Sequence, residues 1–369
     1  MHVILSIYSF DGGIGMKWKR ILIFTAGLVV IAVAVAALNR IFIPKYVDNN
    51  QDGRVTAEFY REKTELDILF FGSSTVYNAI SPVCLYENYG CTSYVRANAS
   101  QTLWQSYYLL EDALRDHRPK LVMVDMSFMK YGGEFVEEAS NRKALDGMRF
   151  SKSKYDCIRA SMWEGEQMIT YFFPVFRFHS RWKELTKDDF YYAARVPDVT
   201  YNGFIMQFDI PDEQVIYDRE PRETYDFPEK AWNYLDRICE LCNREEIPLV
   251  LMKTPTYVNN WYDEYDDALT EYAQEQGIEY VNFDWYKDEM GNELRTDYVD
   301  SGSHLNLVGA EKFTKYLGNY IVGRTGEFSH EKNAEIDKIW EKKVIRYEKD
   351  KTEGMKEYER RLQELSLDF

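Results

Sequence analysis

The sequence predicts an α/β protein: a five-stranded parallel sheet covered by helices on both faces, preceded by one transmembrane helix. Three observations carry that reading. Five short, continuously apolar runs recur along the chain with helical patterns between them. A strand buried on both faces reads as an unbroken apolar run, as parallel sheets sandwiched between helices require. The first run, Asp67-Ile68-Leu69-Phe70-Phe71, ends in Gly72-Ser73-Ser74, where glycine permits a tight turn that a side chain would block. Finally, Ile21 to Leu38 is nearly all apolar.

Taken in order, residues 1–20 read as a cytoplasmic N-terminus and 21–39 as the anchor. The apolar stretch would span roughly 27 Å as a helix at about 1.5 Å per residue, enough to cross a bilayer core. Lys17, Lys19 and Arg20 precede it, so the positive-inside rule places the bulk of the chain outside the cell. A cleaved signal peptide is the rival reading, with Ala34-Val35-Ala36 as its small-residue cleavage site. Residues 40–64 are polar and charged and read as a stalk.

The sheet-and-helix rhythm fills 65–323. Asp67–Gly72 is strand one, Pro82–Tyr89 a short helix and Thr92–Ala97 strand two. Thr102–Asp116 is an amphipathic helix carrying Leu103, Tyr107, Leu110 and Leu114 on one face. Leu121–Met126 is strand three. Residues 128–227 interrupt the rhythm with many aromatics and read as a substrate-side insertion or lid. Pro228–Glu246 is helix, Pro248–Lys253 strand four, and Asn259–Gln276 helix, closed by Gly277 as a C-cap. Ile278–Phe283 is strand five and Asn306–Ile321 the last helix of the domain. The tail, 324–369, is dense in charge. Ile336, Trp340, Val344, Tyr347, Met355, Tyr358 and Leu362 recur there at helical spacing, the pattern of one long amphipathic helix packed on the domain or on a partner, its charged face solvated rather than a dedicated binding surface.

Of the 369 residues 45% are hydrophobic, so a large core is available. A net charge of −16 argues against a nucleic-acid surface. The cysteines (Cys84, Cys91, Cys157, Cys239 and Cys242) are odd in number and irregularly spaced, which is no disulfide framework. Cys239 and Cys242 lack two further ligands nearby and read as buried small hydrophobes. No phosphate loop or dinucleotide fingerprint is present, and no cofactor or metal is implied.

A serine just past strand one sits at the carboxyl edge of the sheet, where open α/β folds bind ligands. A turn with a helix cap gives the same sequence, so chemistry requires partners. Thr296-Asp297-Tyr298-Val299-Asp300-Ser301-Gly302-Ser303-His304-Leu305-Asn306 follows strand five and precedes a helix, on that same edge. A serine hydroxyl needs a base to take its proton, and a carboxylate to orient that base and stabilise its cation. A loop carrying Asp a few residues before His supplies both. Of the five histidines, His2 lies before the anchor, His117 follows a helix at the opposite edge and His330 starts the tail, leaving His179 as the one competitor to His304.

The order Ser74, Asp300, His304, with Gly72-Ser73-Ser74 after strand one and Asp300-Ser301-Gly302-Ser303-His304-Leu305-Asn306 before the last helix, resembles the SGNH/GDSL hydrolase superfamily. More narrowly it resembles the membrane-anchored extracytoplasmic branch, which includes alginate and peptidoglycan O-acetyltransferase-type proteins and the D-alanine transfer protein of teichoic acid modification. The resemblance covers residues 65–323. It implies a flavodoxin-like three-layer α/β/α fold, a Ser-His-Asp catalytic set and ester chemistry. By its register Ser74 is the nucleophile. The family acid stands three residues before the histidine; Asp300 stands four before it, so Asp297 is an alternative. The second family block matches Asn98-Ala99 loosely, and the Ala99 N–H would join that of Ser74 in an oxyanion hole. The third block offers an Asn after strand three, where this chain has Asp125-Met126-Ser127. Either Ser127 or Asn202 then donates, or the hole has two donors.

Three functions remain open. The first is an anchored extracytoplasmic serine esterase or O-acyltransferase acting on acylated cell-surface polysaccharide, with a membrane-bound acyl donor protein as a partner in the transferase case. The second is a degenerate glycan-binding accessory subunit of an envelope acylation complex. The third is a secreted lipase-like esterase, if the segment before Asn39 is removed.

Overall fold

The computed structural model describes residues 11–44, 53–133, 138–195, 198–215, 219, 221–258, 260–326 and 334–365, with side chains from Lys17 onward. His2 and His330 fall outside them, as does most of the first half of the expected stalk. The chain divides into two units, Met1–Asn49 with Ile169–Pro197, and Asn50–Met168 with Asp198–Phe369.

The first unit is built on helix α1 (Asp11–Phe42). Its stretch Lys17–Phe42 holds an 18-residue window with a mean hydropathy of 2.9, none of it buried, so it is long and apolar enough to cross a membrane.

The second unit carries the sheet. Strands β1 (Ile68–Gly72), β2 (Ser93–Ala97), β3 (Leu121–Asp125), β4 (Leu249–Lys253) and β5 (Glu279–Asn282) lie in the order β2-β1-β3-β4-β5. All four pairings are parallel, with Gly72 opposite Ala97 and Phe71 opposite Val124. Each expected strand is present, within a residue at either end. The chain leaves β1 toward β2 on one side and reaches β3 on the other, so the topological switch point, where such sheets open a crevice, lies between β1 and β3.

The helices are α2 (Ser74–Ala79), α3 (Pro82–Tyr89), α4 (Leu103–Ala113), α5 (Lys152–Ser161), α6 (Glu229–Arg244), α7 (Asp263–Gln276), α8 (Leu307–Thr325) and α9 (Ala334–Glu364). Alternate strand residues (Ile68, Phe70, Val95, Met123 and Met252) pack against Val83 and Leu85 of α3 and Phe313, Leu317 and Ile321 of α8 in one continuous core. On the opposite face α4 lies against β1 and β2, with α6 and α5 packed on it. Asn306 caps α8 by accepting the Gly309 N–H at 3.2 Å. Gly277 ends α7 in the left-handed region, φ +65°.

One expected boundary changes, and the tail takes one of its two expected placements. Residues 53–64 belong to the folded unit rather than a stalk. Arg54–Glu58 is helical, and Glu58 accepts from the Thr200 N–H at 3.1 Å and the Thr200 hydroxyl at 2.6 Å. Phe59 lies under the Arg96 guanidinium, 4.0 Å from ring centroid to cation. The polarity that suggests a stalk is thus consumed in buried pairing. The tail is equally integral. Trp340 is buried and stacks on Tyr86 of α3 at 4.9 Å, while Tyr347 and Lys351 of α9 bond Glu311 of α8 at 3.0 and 2.7 Å.

The insertion 128–227 splits three ways. Residues 138–161 cover α4. Residues 169–197 join the unit of α1. Beyond Asp198 the chain runs to the amino end of β2, where the Asn202 carbonyl accepts the Val95 N–H at 2.9 Å.

Candidate active site

The site is assembled by two loops at the carboxyl edge of the sheet. The first is the turn from β1 into α2. Gly72 is required there by space: a Cβ would lie 2.4 Å from Val76 Cγ2 and 2.8 Å from Asp125 Cβ. That close approach brings Ser73 and Ser74 over the end of the sheet. Ser73 is buried, its hydroxyl 3.0 Å from that of Thr75. Ser74 is the first residue of α2 and is partly exposed.

The second loop runs from Tyr298 to Leu305, which pair as an antiparallel bridge. The Val299 N–H donates to the His304 carbonyl at 3.0 Å. Gly302 turns the loop at φ +89°, where a Cβ would meet Tyr257 Cβ at 2.5 Å, and its carbonyl accepts the Tyr257 N–H at 2.7 Å. The loop is therefore pinned to the segment after β4.

Ser74, His304 and Asp300 come together. His304 Nε2 is 2.7 Å from Ser74 Oγ, and His304 Nδ1 is 2.6 Å from Asp300 Oδ2. With the proton on Nδ1, that N–H donates to Asp300 and Nε2 accepts from the serine hydroxyl, so one tautomer satisfies both contacts. Asp300 Oδ1 accepts two backbone N–H groups, from Ser303 at 2.8 Å and His304 at 2.9 Å. Burial by itself would raise the Asp300 carboxyl, but hydrogen bonds from the His304 ring and from both backbone groups hold it below its ordinary value.

Asp297 is elsewhere. Fully buried, it accepts from the Glu293 N–H at 2.9 Å, the Thr296 hydroxyl at 3.0 Å and Lys312 at 2.8 Å. It braces the base of the loop and makes no contact with His304. His179 lies in the other unit, its Nδ1 2.9 Å from the Phe176 carbonyl.

The expected anion-binding groups divide. The Ser74 and Ala99 N–H groups have no acceptor among the described residues; Ala99 follows β2 by two positions at the same rim. Asn98 is a strut, its amide donating to Gln101 Oε1 at 2.8 Å and its oxygen accepting from Thr56 at 3.2 Å. Asn202 is not a candidate. It lies at the amino end of β2, held by Glu62 Oε2 at 3.0 Å and the Ser93 carbonyl at 3.1 Å, a strand's length (roughly 16 Å at about 3.3 Å per residue) from Ser74. Ser127 does reach the site: it lines the same cavity as Ser74 and His304. Asp125 turns both oxygens inward, to the Thr254 N–H at 2.8 Å, the Thr254 hydroxyl at 2.9 Å and the Ser127 N–H at 2.9 Å. Burial raises its carboxyl, against the hydrogen bonds from Thr254 and Ser127.

Further residues come from the structure alone. Tyr77 lies one turn along α2, and burial pushes its hydroxyl up to about 12. Lys130 and Lys253 line the cavity with Phe128, Tyr131 and Trp261, enclosing about 180 Å³. Lys130 donates to Asn260 Oδ1 at 2.8 Å and its carbonyl at 3.2 Å. Burial, then repulsion from Lys253 and Arg222, push its ammonium down to about 7. Lys253 pairs with Asp284 and bonds Thr256 Oγ1 at 3.0 Å. No local pattern marks Tyr77, Lys130 or Trp261, because their role depends on which strand ends are neighbours.

No protein-family model matches this chain, and no curated protein matches it.

Proposed function

We propose that this chain is a membrane-anchored, extracytoplasmic serine esterase or O-acyltransferase of the SGNH/GDSL type, acting on O-acyl groups of cell-surface glycans. The observation that supports it most is the continuous Ser74–His304–Asp300 hydrogen-bond relay at the switch point of the sheet. His304 Nε2 takes the Ser74 proton as Oγ attacks the ester carbonyl, and the Asp300 carboxylate stabilises the imidazolium that forms. In this reading the Ser74 and Ala99 N–H groups hold the oxyanion, with Ser127 as the side-chain donor in place of the family's asparagine. The tetrahedral adduct collapses, His304 returns its proton to the leaving alcohol, and the acyl group stays on Ser74. Water then completes hydrolysis; a sugar hydroxyl completes transfer, with the acyl group supplied by a membrane-bound donor.

The cavity of about 180 Å³ falls below the roughly 300–1,000 Å³ of pockets that enclose a drug-sized ligand, which favours a short acyl group. The test is active-site labelling with a fluorophosphonate, followed by turnover of short-chain aryl esters. Wild-type protein should be labelled and Ser74→Ala should not. Labelling that survives this substitution removes Ser74 from the role. Labelling without turnover favours the accessory, glycan-binding reading, for which Asp125 in the asparagine position is the supporting observation.

A further inference from the structure

The segment Ile169–Pro197 belongs with α1 and not with the sheet. It is made of pieces too short to stand alone: Met168–Phe172, Val175–Phe178, a 3₁₀ turn at His179–Lys183, and Lys187–Ala194. They are held against the last turns of α1. The Val175 N–H donates to Asn39 Oδ1 at 3.0 Å, and Arg181 Nη1 donates to the Phe42 carbonyl at 2.5 Å. The contacts therefore fall on the last residues of the candidate span, which ends at Phe42.

The outward side of the segment is unusual for a water-facing surface. Trp182 is 64% exposed, Phe176 58% and Phe190 55%, with Tyr191 and Ile169 exposed beside them. Interleaved with these are Arg177, Lys183 and Lys187, also exposed. The segment carries five Arg and Lys against three Asp and Glu, in a chain of net charge −16. Exposed large apolar side chains in a contiguous set mark an interaction surface. Large aromatics mixed with basic residues at the end of a membrane span are the composition that settles at the headgroup level, rings toward the acyl boundary and charges toward phosphate.

We propose that residues 169–197 form an interfacial collar that seats in the headgroup layer of the bilayer crossed by α1, giving the protein a second attachment to lipid beside its anchor. The collar is fastened to the end of the span itself, through Asn39 and the Phe42 carbonyl, which argues for lipid rather than a protein partner. The inference rests on α1 being a membrane span and is independent of the chemistry at Ser74.

The test uses the full chain in lipid nanodiscs. Single cysteines replacing Phe176, Trp182 or Phe190 are labelled with an environment-sensitive fluorophore; the five native cysteines are buried. Val29→Cys in α1 and Trp285→Cys, exposed on the sheet-bearing unit, are the controls. Lipids carrying a quencher near the headgroup or deep in the acyl chain are compared. Collar labels should be quenched at least twofold more by the shallow probe than by the deep one, Val29 chiefly by the deep one, and Trp285 by neither. If Val29 is quenched while the collar positions behave like Trp285, the collar is wrong and the anchor stands. If Val29 also escapes both probes, the anchor fails and the collar with it. A label-free variant covers the case in which the cysteine forms misfold: Trp182→Phe should lower the share of intrinsic emission quenched by shallow brominated lipid, and an unchanged share overturns the proposal.

Discussion

Asp300→Asn isolates the role assigned to the acid. The carboxylate makes two kinds of contact: Oδ1 accepts from two backbone N–H groups, and Oδ2 faces His304 Nδ1 at 2.6 Å. Asparagine can keep the first with its oxygen, which leaves its amide N–H₂ facing Nδ1. The imidazole must then carry its proton on Nε2, pointing it at Ser74, where it cannot act as a base. Two effects combine. The imidazolium loses a neighbouring charge, worth about 1 kcal/mol at 4 Å in water and about 4 kcal/mol at the effective dielectric of a protein surface. Asp300 is 41% exposed and His304 27%, so an intermediate figure of about 2–3 kcal/mol applies. The tautomer reversal adds to it; for a fully buried acid the combined loss is on the order of 10⁴. With this exposure we expect kcat/KM to fall by about 10³, roughly 4 kcal/mol at 1.36 kcal/mol per decade. The assay is short-chain ester turnover at fixed pH alongside thermal unfolding. Asp297→Asn is the paired control. It weakens buried bonds to Lys312 and the Glu293 N–H and should cost about 1–3 kcal/mol of stability with kcat within a fewfold of wild type. Asp300→Asn retaining activity within tenfold, or Asp297→Asn showing the larger catalytic loss, would refute the assignment. Because its folded-state value is depressed, the Asp300 carboxylate adds stability above its unfolded value near 4, lost as pH falls through the lower folded value.

The same geometry sets three further outcomes. Gly72→Ala puts a methyl against Val76 and Asp125 Cβ, and should lower stability by about 1–3 kcal/mol while displacing Ser74, read as a lower melting temperature with loss of fluorophosphonate labelling. Trp340→Ala empties a fully buried site between α9 and α3, and should cost about 3–5 kcal/mol in denaturant unfolding; a change under 1 kcal/mol would return the tail to the status of a solvated appendage. Lys130 changes charge near neutral pH, being protonated below about 7 and neutral above. An ester bearing a carboxylate should lose kcat/KM relative to its neutral counterpart as pH rises through 7, and Lys130→Met should flatten that ratio; a ratio unaffected by the substitution would place the ammonium out of reach of substrate.

The strands were legible because a parallel sheet buried on both faces writes its burial directly into sequence: Ile68 to Gly72 and Leu121 to Asp125 are unbroken and fully buried. The two loops of the candidate site were legible for a related reason, since each carries a glycine just ahead of or at a helix start, Gly72 directly at the end of β1 and Gly302 five residues before α8. Where the reading fell short, the deciding information was tertiary. Asp297 and Asp300 share one loop, and only the fold of that loop turns one toward Lys312 and the other toward His304. Asn202 comes after β3 in sequence but returns to the amino end of β2. Residues 53–64 looked solvated because they are polar, but hydropathy does not register that Glu58 has three donors from Val199 and Thr200 waiting for it.

The topology also accounts for a departure that looks damaging in sequence. Strands β1 and β3 are adjacent, so the residues just past β3 stand beside Ser74. A carboxylate at Asp125 facing the cavity would oppose any anion formed there. Instead Asp125 reaches sideways to Thr254, tying the end of β3 to the end of β4, and holds Ser127 by its backbone N–H. Its Cβ is also one of the two walls that forbid a side chain at Gly72. Asp125 therefore sets the shape of the crevice instead of facing the cavity. Ser127 lines the cavity beside Ser74 and His304. Asp125→Asn would consequently act through the shape of the turn rather than by restoring a donor, because both of its oxygens are already spoken for.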